Sequence, residues 1–312
     1  MFESLSDVYV DVPLSNISIK YTNDNFIADK VFPILKVGKM TGLYYVYDKA
    51  NLRPDISDRS LGAPSAETGQ GMTTKGTYIC TDHALHAWVP FQIQEQADVA
   101  LNPLIDETEA LTEKLMIAKE KALATIITSG SNITQYTALS STSQWSDYSN
   151  SDPIGDIRTA RITIHKATFK RPNTIVMGKE VFDALCDHPQ IIERIKYSQL
   201  GVVTEELMAR VFNVDQILVG DAGYNSANEG QTDSLSYIWG KNAIVCYIAP
   251  TIRLKEVTLG HTVTYGVRQV LRNNSSIEAL DRQATFIRVG NDNYVHKLFV
   301  AACGYLINTC VA

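Results

Sequence analysis

One long amphipathic segment, residues 106–129, constrains the fold more than any other feature of this sequence. It reads DETEALTEKLMIAKEKALATIITS, is rich in the helix formers Ala, Leu, Glu and Lys, and contains neither Gly nor Pro. Apolar residues recur in and just before it at steps of three, four and seven, which is typical of one buried stripe on an α-helix. These residues are Leu104, Leu111, Leu115, Ala118, Ala122 and Ile126. We therefore predict a helix of about 24 residues with this stripe buried, which we call the spine helix.

Signals for helix ends flank the spine helix. Asn102 followed by Pro103 is one candidate start, and Asp106 followed three residues later by Glu109 is another. Gly130 predicts the end of the helix. At about 24 residues the helix is roughly twice the average length, so we expect other elements to pack against it.

The chain before the spine helix divides into two parts. Residues 1–35 carry apolar residues spaced by polar ones, and no helical period lasts more than a turn. Such a terminus is either disordered or an extended arm on a neighbour, and its β-branched residues favour the arm. Two strand-like runs, 43–47 and 77–93, then flank a polar stretch, 48–76. We predict a protruding hairpin, since a polar stretch of 29 residues does not fit a compact domain.

The chain after the spine helix alternates between helical and strand patterns and then returns to strands. The pattern predicts helices over residues 153–166, 181–185, 189–197 and 205–211. It predicts strands over residues 173–178, 216–220, 257–270, 286–289 and 296–309, with 237–248 as a strand pair or one bent strand. Residues 151–255 therefore form a mixed α/β body.

Composition excludes several classes of protein. A net charge of −6 and a pI near 5.5 argue against a protein whose main task is to grip nucleic acid. No signal peptide is visible at the start, and no apolar run approaches the roughly 18 residues that a membrane span needs. Five scattered cysteines indicate reduced core residues, not a disulfide framework. They are Cys80, Cys186, Cys246, Cys303 and Cys310.

Residues 151–197 contain PNTIVMG followed by HPQIIERIKY, and residues 202–230 contain VFNVDQILVGDAGYNSANEG. With the following IWGKNAIVCYIAP, this order resembles the major capsid proteins of tailed bacteriophages over about a hundred residues. The resemblance implies an α+β Hong Kong 97-like capsid fold. Such a fold has an N-terminal arm (1–36), an extended β-hairpin loop (37–92), a peripheral lobe with the spine helix (93–139 and 256–297) and an α/β axial lobe (140–255 and 298–312).

The same resemblance implies a structural protein with no enzymatic activity, cofactor, metal or membrane. Copies of the chain would assemble in the host cytoplasm into pentamers and hexamers of an icosahedral head that encloses the genome. The implied partners are the chain itself, a portal, scaffolding or decoration proteins, and packaged double-stranded DNA by proximity without sequence readout. Some relatives begin with a helical scaffolding region, whereas this sequence begins at the arm with Met1. We therefore expect either a separate scaffolding protein or none.

Two sets of residues are candidate interaction sites. The first set consists of candidate contacts between subunits, namely Lys49, Arg53, Arg59, Lys75, Tyr224 and Asn225. Some relatives join a Lys to an Asn covalently, for which Asn273, Asn274, Asn291 and Asn293 are candidate acceptors. The second set is the densest basic cluster, namely Arg158, Arg161, Lys166, Lys170 and Arg171. It is either a solvated helix face or an inner-surface contact with packaged DNA or an acidic neighbour.

Two short motifs contain residue types that are found in metal and catalytic sites, but both signals are weak. Cys80, Asp82 and His86 have metal-ligand side chains but match no standard zinc spacing. Cys186 and His188 lie two residues apart at a predicted helix boundary, which is poor geometry for a catalytic pair. Two alternatives to a capsid protein stay open. One is an encapsulin-like compartment with protein cargo, and the other is a soluble α/β enzyme with an appended hairpin.

Overall fold

In the computed structural model of this chain, one long helix contacts two separate β-sheets. The structure describes residues 9–21, 23, 25–47, 54, 58–65, 67, 72–97, 102–196, 203–228, 230–253 and 257–312. Within these residues the chain has an α+β architecture.

The helices and strands are numbered in chain order. The helices are α1 (Val12–Lys20), α2 (Ala28–Val31), α3 (Phe91–Gln96), α4 (Pro103–Ile127), α5 (Pro153–Thr168), α6 (Lys179–Cys186), α7 (Pro189–Ile195), α8 (Glu205–Phe212) and α9 (Ile277–Asp281). The first strands are β1 (Tyr9–Val10), β2 (Ile34–Lys36), β3 (Thr41–Tyr47), β4 (Met72–Ile79), β5 (Thr81–Pro90), β6 (Tyr136–Ala138), β7 (Thr174–Gly178) and β8 (Gln216–Gly220). The later strands are β9 (Gly223–Asn225), β10 (Leu235–Tyr237), β11 (Ala243–Cys246), β12 (Gly260–Tyr265), β13 (Gln269–Asn273), β14 (Ala284–Leu298) and β15 (Gly304–Asn308).

Helix α4 confirms the predicted spine helix. Of the two candidate starts, the first is right, because the Asn102 side chain accepts a hydrogen bond from Leu104 N and Pro103 occupies the first turn. The helix ends at Ile127, three residues before Gly130.

The buried face of α4 agrees with the predicted stripe only in its first half. Ala118 and Ala122 are exposed, whereas Lys119 and Glu120 are buried. The physical reason is that α4 changes its packing partner along its length. Its first half packs on one sheet, and its second half packs on the other sheet and on the N-terminal segment, so the buried side rotates around the helix.

The six-stranded sheet is built around β14. Strand β5 pairs antiparallel with one edge of β14, while β13 and β12 share the other edge. Strand β1 pairs with β13, and β2 pairs in parallel with β12. The core that this sheet forms with α1 and the first half of α4 contains Leu14, Val89, Leu111, Leu115, Val270, Ile287 and Val289.

The five-stranded sheet has the order β6-β15-β11-β7-β8 and is buried on both faces. Side chains alternate along its strands, so Ile175 and Met177 pack with the core under α5–α8, while Val176 packs with the second half of α4. This is the mixed α/β body predicted for residues 151–255, with β6 and β15 added from outside that range.

The N-terminal segment is not wholly extended, so that part of the arm prediction is wrong. Helix α1 forms because Asp11 caps it, its side chain accepting from Leu14 N at 3.1 Å. Pro13 lies in the first turn, where proline is tolerated. The helix packs on α4, where Ser18 Oγ and Thr112 Oγ1 are 2.8 Å apart.

The predicted pairing of two strands into a hairpin is confirmed, since β3 and β4 pair antiparallel, but β4 begins at Met72, inside the stretch 48–76 that was predicted to be a polar connection. The predicted strand over 77–93 is wrong as a single element. It breaks at Cys80, because β4 pairs with β3 while β5 pairs with β14, and it gives way to α3 after Pro90. The range 237–248 is neither a strand pair nor one bent strand, because Tyr237 ends β10 and residues 243–246 form β11 in a different sheet. Residues 286–289 are part of the much longer β14.

Candidate interaction surfaces

The base of the β3–β4 hairpin is held on the six-stranded sheet by Tyr44. Its ring stacks on Phe299 with centroids 4.5 Å apart and planes 6° apart, and its hydroxyl donates to Leu298 O at 3.3 Å. Gly76 leaves the space that this ring occupies, because a Cβ at Gly76 would overlap the Tyr44 ring. Burial raises the pKa of Tyr44. The hairpin therefore leaves the subunit from a fixed base.

Apolar side chains on this hairpin are exposed within the subunit. Leu43 and Ile79 are 47% and 60% exposed, and Leu61 in the tip region is fully exposed. Arg59 is also exposed. Lys49 and Arg53 lie outside the described residues, and of Lys75 only the backbone is described, where it pairs with Tyr45.

Tyr224 and Asn225 lie in the two-stranded β9–β10 hairpin, and both contact their own chain. Lys121 Nζ of the spine helix lies 3.9 Å from the centroid of the Tyr224 ring. Asn225 donates to Asp233 Oδ1 at 2.7 Å, and its Oδ1 accepts from the backbone N–H groups of Ala227 and Ser234. Leu235 of this hairpin pairs with Asn225 and is 80% exposed, and Tyr237 of the same strand is 42% exposed. Sequence reasoning missed Leu235.

Four of the five residues in the predicted basic cluster line one groove. The groove has a volume of about 350 Å³ and runs along α5, and we call it the α5 groove. Its lining residues are Arg158, Arg161, Ile162, His165, Lys166, Arg171 and Pro172. Lys170 does not join them, because its Nζ lies 6.0 Å from the centroid of the Tyr247 ring.

The α5 groove is lined by basic side chains, and Arg158 also borders a neighbouring cleft that contains Asp152 and Glu193. The ion pairs found within the described part of the chain include none of the arginines or lysines of the groove. Arg161 donates through Nη1 to Phe212 O at 2.9 Å, but its buried Nε has no hydrogen-bond partner among the described residues. Burial, and then repulsion from Arg171, lower the pKa of Arg161.

A buried carboxylate joins three parts of the chain. Glu120 of the spine helix is 1% exposed and accepts hydrogen bonds from Ile27 N at 3.2 Å, Ala28 N at 2.8 Å and Trp239 Nε1 at 2.7 Å. Burial raises the pKa of Glu120, and the three hydrogen bonds oppose this shift. We call this set of four residues the Glu120 clasp. It fastens the N-terminal segment and the β10–β11 connection to α4.

The residue types that gave weaker sequence signals serve the packing of the subunit. Asp82 pairs with Arg288 at 3.1 Å, and His83 stacks on Tyr294 with ring centroids 4.2 Å apart. His188 caps α7 and bonds Ser151 Oγ at 3.0 Å. Among the described residues, no group of His, Cys, Asp and Glu has the arrangement of a metal site. No helix in the described ranges is long and apolar enough to cross a membrane.

Comparison of sequences places this chain close to phage capsid proteins. Residues 109–245 match the family model described as phage major capsid protein E. The chain is 29% identical to the major capsid protein of Burkholderia phage BcepMu over 306 residues, which cover 96% of each chain. It is 30% identical to the major capsid protein of Pseudomonas phage JBD67 over 246 residues, which cover 76% of this chain and 77% of that protein.

Solved structures share the fold over nearly the whole chain. A phage-related protein from Bordetella bronchiseptica RB50 superposes with a TM-score of 0.74 at 24% identity, covering 96% of this chain and 97% of that one. The capsid of cyanophage P-SCSP1u superposes with a TM-score of 0.62 at 10% identity, covering 91% of this chain and 88% of that one. The α+β architecture described above is therefore one that phage capsid proteins adopt.

Proposed function

The chain belongs to the phage major capsid proteins, and from this premise we propose that it builds an icosahedral head from pentamers and hexamers. As a major capsid protein it is a shell protein of a bacteriophage head and is located in the virion. The observation that carries this assignment is 30% identity to one such protein across 77% of that protein's length. An encapsulin-like compartment and an α/β enzyme are not favoured, because both of these sequence relatives are phage major capsid proteins.

We propose that the fold is Hong Kong 97-like and divides as the sequence resemblance implies. The arm is residues 1–36, and the extended loop is residues 37–92. The six-stranded sheet and the spine helix support a peripheral lobe of residues 93–139 and 256–297. The five-stranded sheet and α5–α8 support an axial lobe of residues 140–255 and 298–312, to which β6 adds an edge strand from residues 136–138.

We propose that the extended loop makes the principal contact between neighbouring subunits. Leu43 and Ile79 offer exposed apolar surface on strands whose base is fixed by Tyr44. A neighbouring copy that covers these side chains removes apolar surface from water, which favours association. Lys49, Arg53, Arg59 and Lys75 belong to the same loop and are proposed contacts at its tip and edge.

The remaining proposed contacts concern the ring and its partners. Tyr224 and Asn225 shape the β9–β10 hairpin, which presents Leu235 to a neighbour in the ring. We propose a portal and separate scaffolding or decoration proteins as further partners, with packaged double-stranded DNA held nearby and no enzymatic activity. The net charge of −6 supports a container that does not adhere to its genome over its whole surface.

A shortened hairpin tests the role of the extended loop. Tyr47 of β3 and Met72 of β4 are paired across the hairpin. Replacing residues 48–71 with Asn-Gly connects these two residues by a two-residue turn. We expect the unassembled subunit to keep its urea midpoint, because the base of the hairpin is unchanged. We expect complete particles to be lost in electron micrographs. Particles of normal yield and stability from the shortened chain would contradict the proposed contact.

A further inference from the structure

We propose that the α5 groove binds the phosphate backbone of double-stranded DNA without reading its sequence. This inference rests on the proposed function, since a head that encloses a genome brings DNA to its inner wall. It assigns the contact with packaged DNA to named side chains, whereas the proposed function places the DNA only near the shell.

The spacing of the cations fits a nucleic-acid strand. Arg158 and Lys166 are eight residues apart on α5, which is about 12 Å along the helix axis. Phosphates of one B-DNA strand follow each other at about 3.4 Å along the duplex axis, so this span faces about three of them. Arg171 continues the positive surface past the end of α5 at Thr168.

The chemistry of the lining favours phosphate over other anions. Three of the lining residues are arginines, and the planar guanidinium group binds phosphate oxygens through two parallel hydrogen bonds. No arginine or lysine of the groove forms an ion pair in the described ranges, so no close carboxylate competes with a bound phosphate for these side chains. An anion in the groove relieves the repulsion between Arg161 and Arg171.

Double-stranded DNA fits the groove better than an acidic protein segment does. A specific protein partner is anchored by apolar or aromatic side chains in pockets. The groove offers only Ile162 and Pro172 as apolar lining, and it is wide and open. Contacts to DNA phosphates depend mainly on charge, so they require neither a closely fitting pocket nor apolar anchor side chains.

The test measures DNA binding by the unassembled full-length chain as a function of salt. The probe is a fluorescent 20-base-pair duplex of arbitrary sequence, and the readout is anisotropy. The groove variant combines Arg158→Gln, Lys166→Gln and Arg171→Gln, all at exposed positions. The matched control combines Lys20→Gln, Lys39→Gln and Lys114→Gln, which are also exposed and remove the same charge.

We expect the slope of log K against log salt to fall in magnitude by about 2.7 in the groove variant, which is about 0.9 for each of three lost contacts. Between 50 and 200 mM salt, the wild type should therefore lose about 40-fold more affinity for the duplex than the groove variant loses. The control should keep the wild-type slope. If the groove variant does not melt like the wild type, Arg158→Gln alone should reduce the slope by about 0.9.

Equal slopes in the wild type and the groove variant would overturn the proposal. So would a wild-type chain that binds fluorescent polyglutamate but not the duplex, which would assign the groove to an acidic protein partner. Particle formation by the same variants is scored separately by electron microscopy. A wild-type chain that forms no particles counts against the proposed shell, whereas the change in slope between variants tests the groove alone.

Discussion

The Glu120 clasp allows a sharp prediction about subunit stability. Glu120→Ala removes the only carboxylate that accepts from Ile27 N, Ala28 N and Trp239 Nε1 in the described structure, and so leaves three buried donors unpaired. Each such donor costs about 1–3 kcal/mol. Burial disfavours the ionised form of Glu120, so removing this carboxylate offsets part of the lost free energy. We expect a net loss of about 3–5 kcal/mol in the free energy of unfolding, a large share of the usual 5–15 kcal/mol.

Urea unfolding of the unassembled subunit measures this loss, and Glu113→Ala is the matched control. Glu113 lies two turns earlier on the same helix and is only half-buried, and it accepts a hydrogen bond from Asn23 Nδ2 at 3.4 Å and one from the Tyr21 side chain. Its replacement should cost less than about 1 kcal/mol. Trp239→Phe should cost much less in the Glu120→Ala background than in the wild type, with a coupling of at least about 1 kcal/mol. A loss for Glu120→Ala no larger than that of Glu113→Ala would refute the reasoning.

Three further predictions follow from burial. Leu115→Asp should prevent folding, because Leu115 is buried, whereas Ala118→Asp should fold, because Ala118 is exposed; circular dichroism separates them. Burial, and then the charge of Lys119, lower the pKa of His296 to about 4. Because the unfolded chain binds this proton more readily, the free energy of unfolding should fall by about 3 kcal/mol as the pH drops from about 6.5 to 4. The variant His296→Gln should flatten this part of a plot of urea midpoint against pH. A thiol reagent should modify Cys186 before the buried Cys303, whose pKa burial raises to about 12, and should reach Cys303 only with unfolding.

Much of the fold follows from local signals in the sequence. The spine helix was predictable because its period and its Asn102–Pro103 start are strong and agree with each other. The helix over α5 was predictable for the same reason, since Asp152 caps it and accepts from Gly155 N at 3.0 Å. The α5 groove also follows from spacing, because Arg158, Ile162 and His165 lie on one side of a helix.

The remainder depends on contacts that local pattern does not encode. Lys119 and Glu120 read as surface residues in a helical pattern, and their burial arises only because the spine helix passes from one sheet to the other. The break at Cys80 leaves no sequence signal, since β4 and β5 have the same strand-like composition and differ only in their partners. Helix α1 was not predictable from periodicity, because no helical period in residues 1–35 lasts more than a turn, and its Pro13 occupies a first turn, where proline is tolerated.

Electron cryomicroscopy of particles purified from cells that express the full-length chain, with and without its neighbouring head genes, tests the central claim most directly. We expect closed icosahedral shells whose density contains this fold in rings of five and six, with the β3–β4 hairpin of each copy resting on a neighbour. A chain that stays monomeric under both conditions, or a shell density that the fold does not fit, would contradict it.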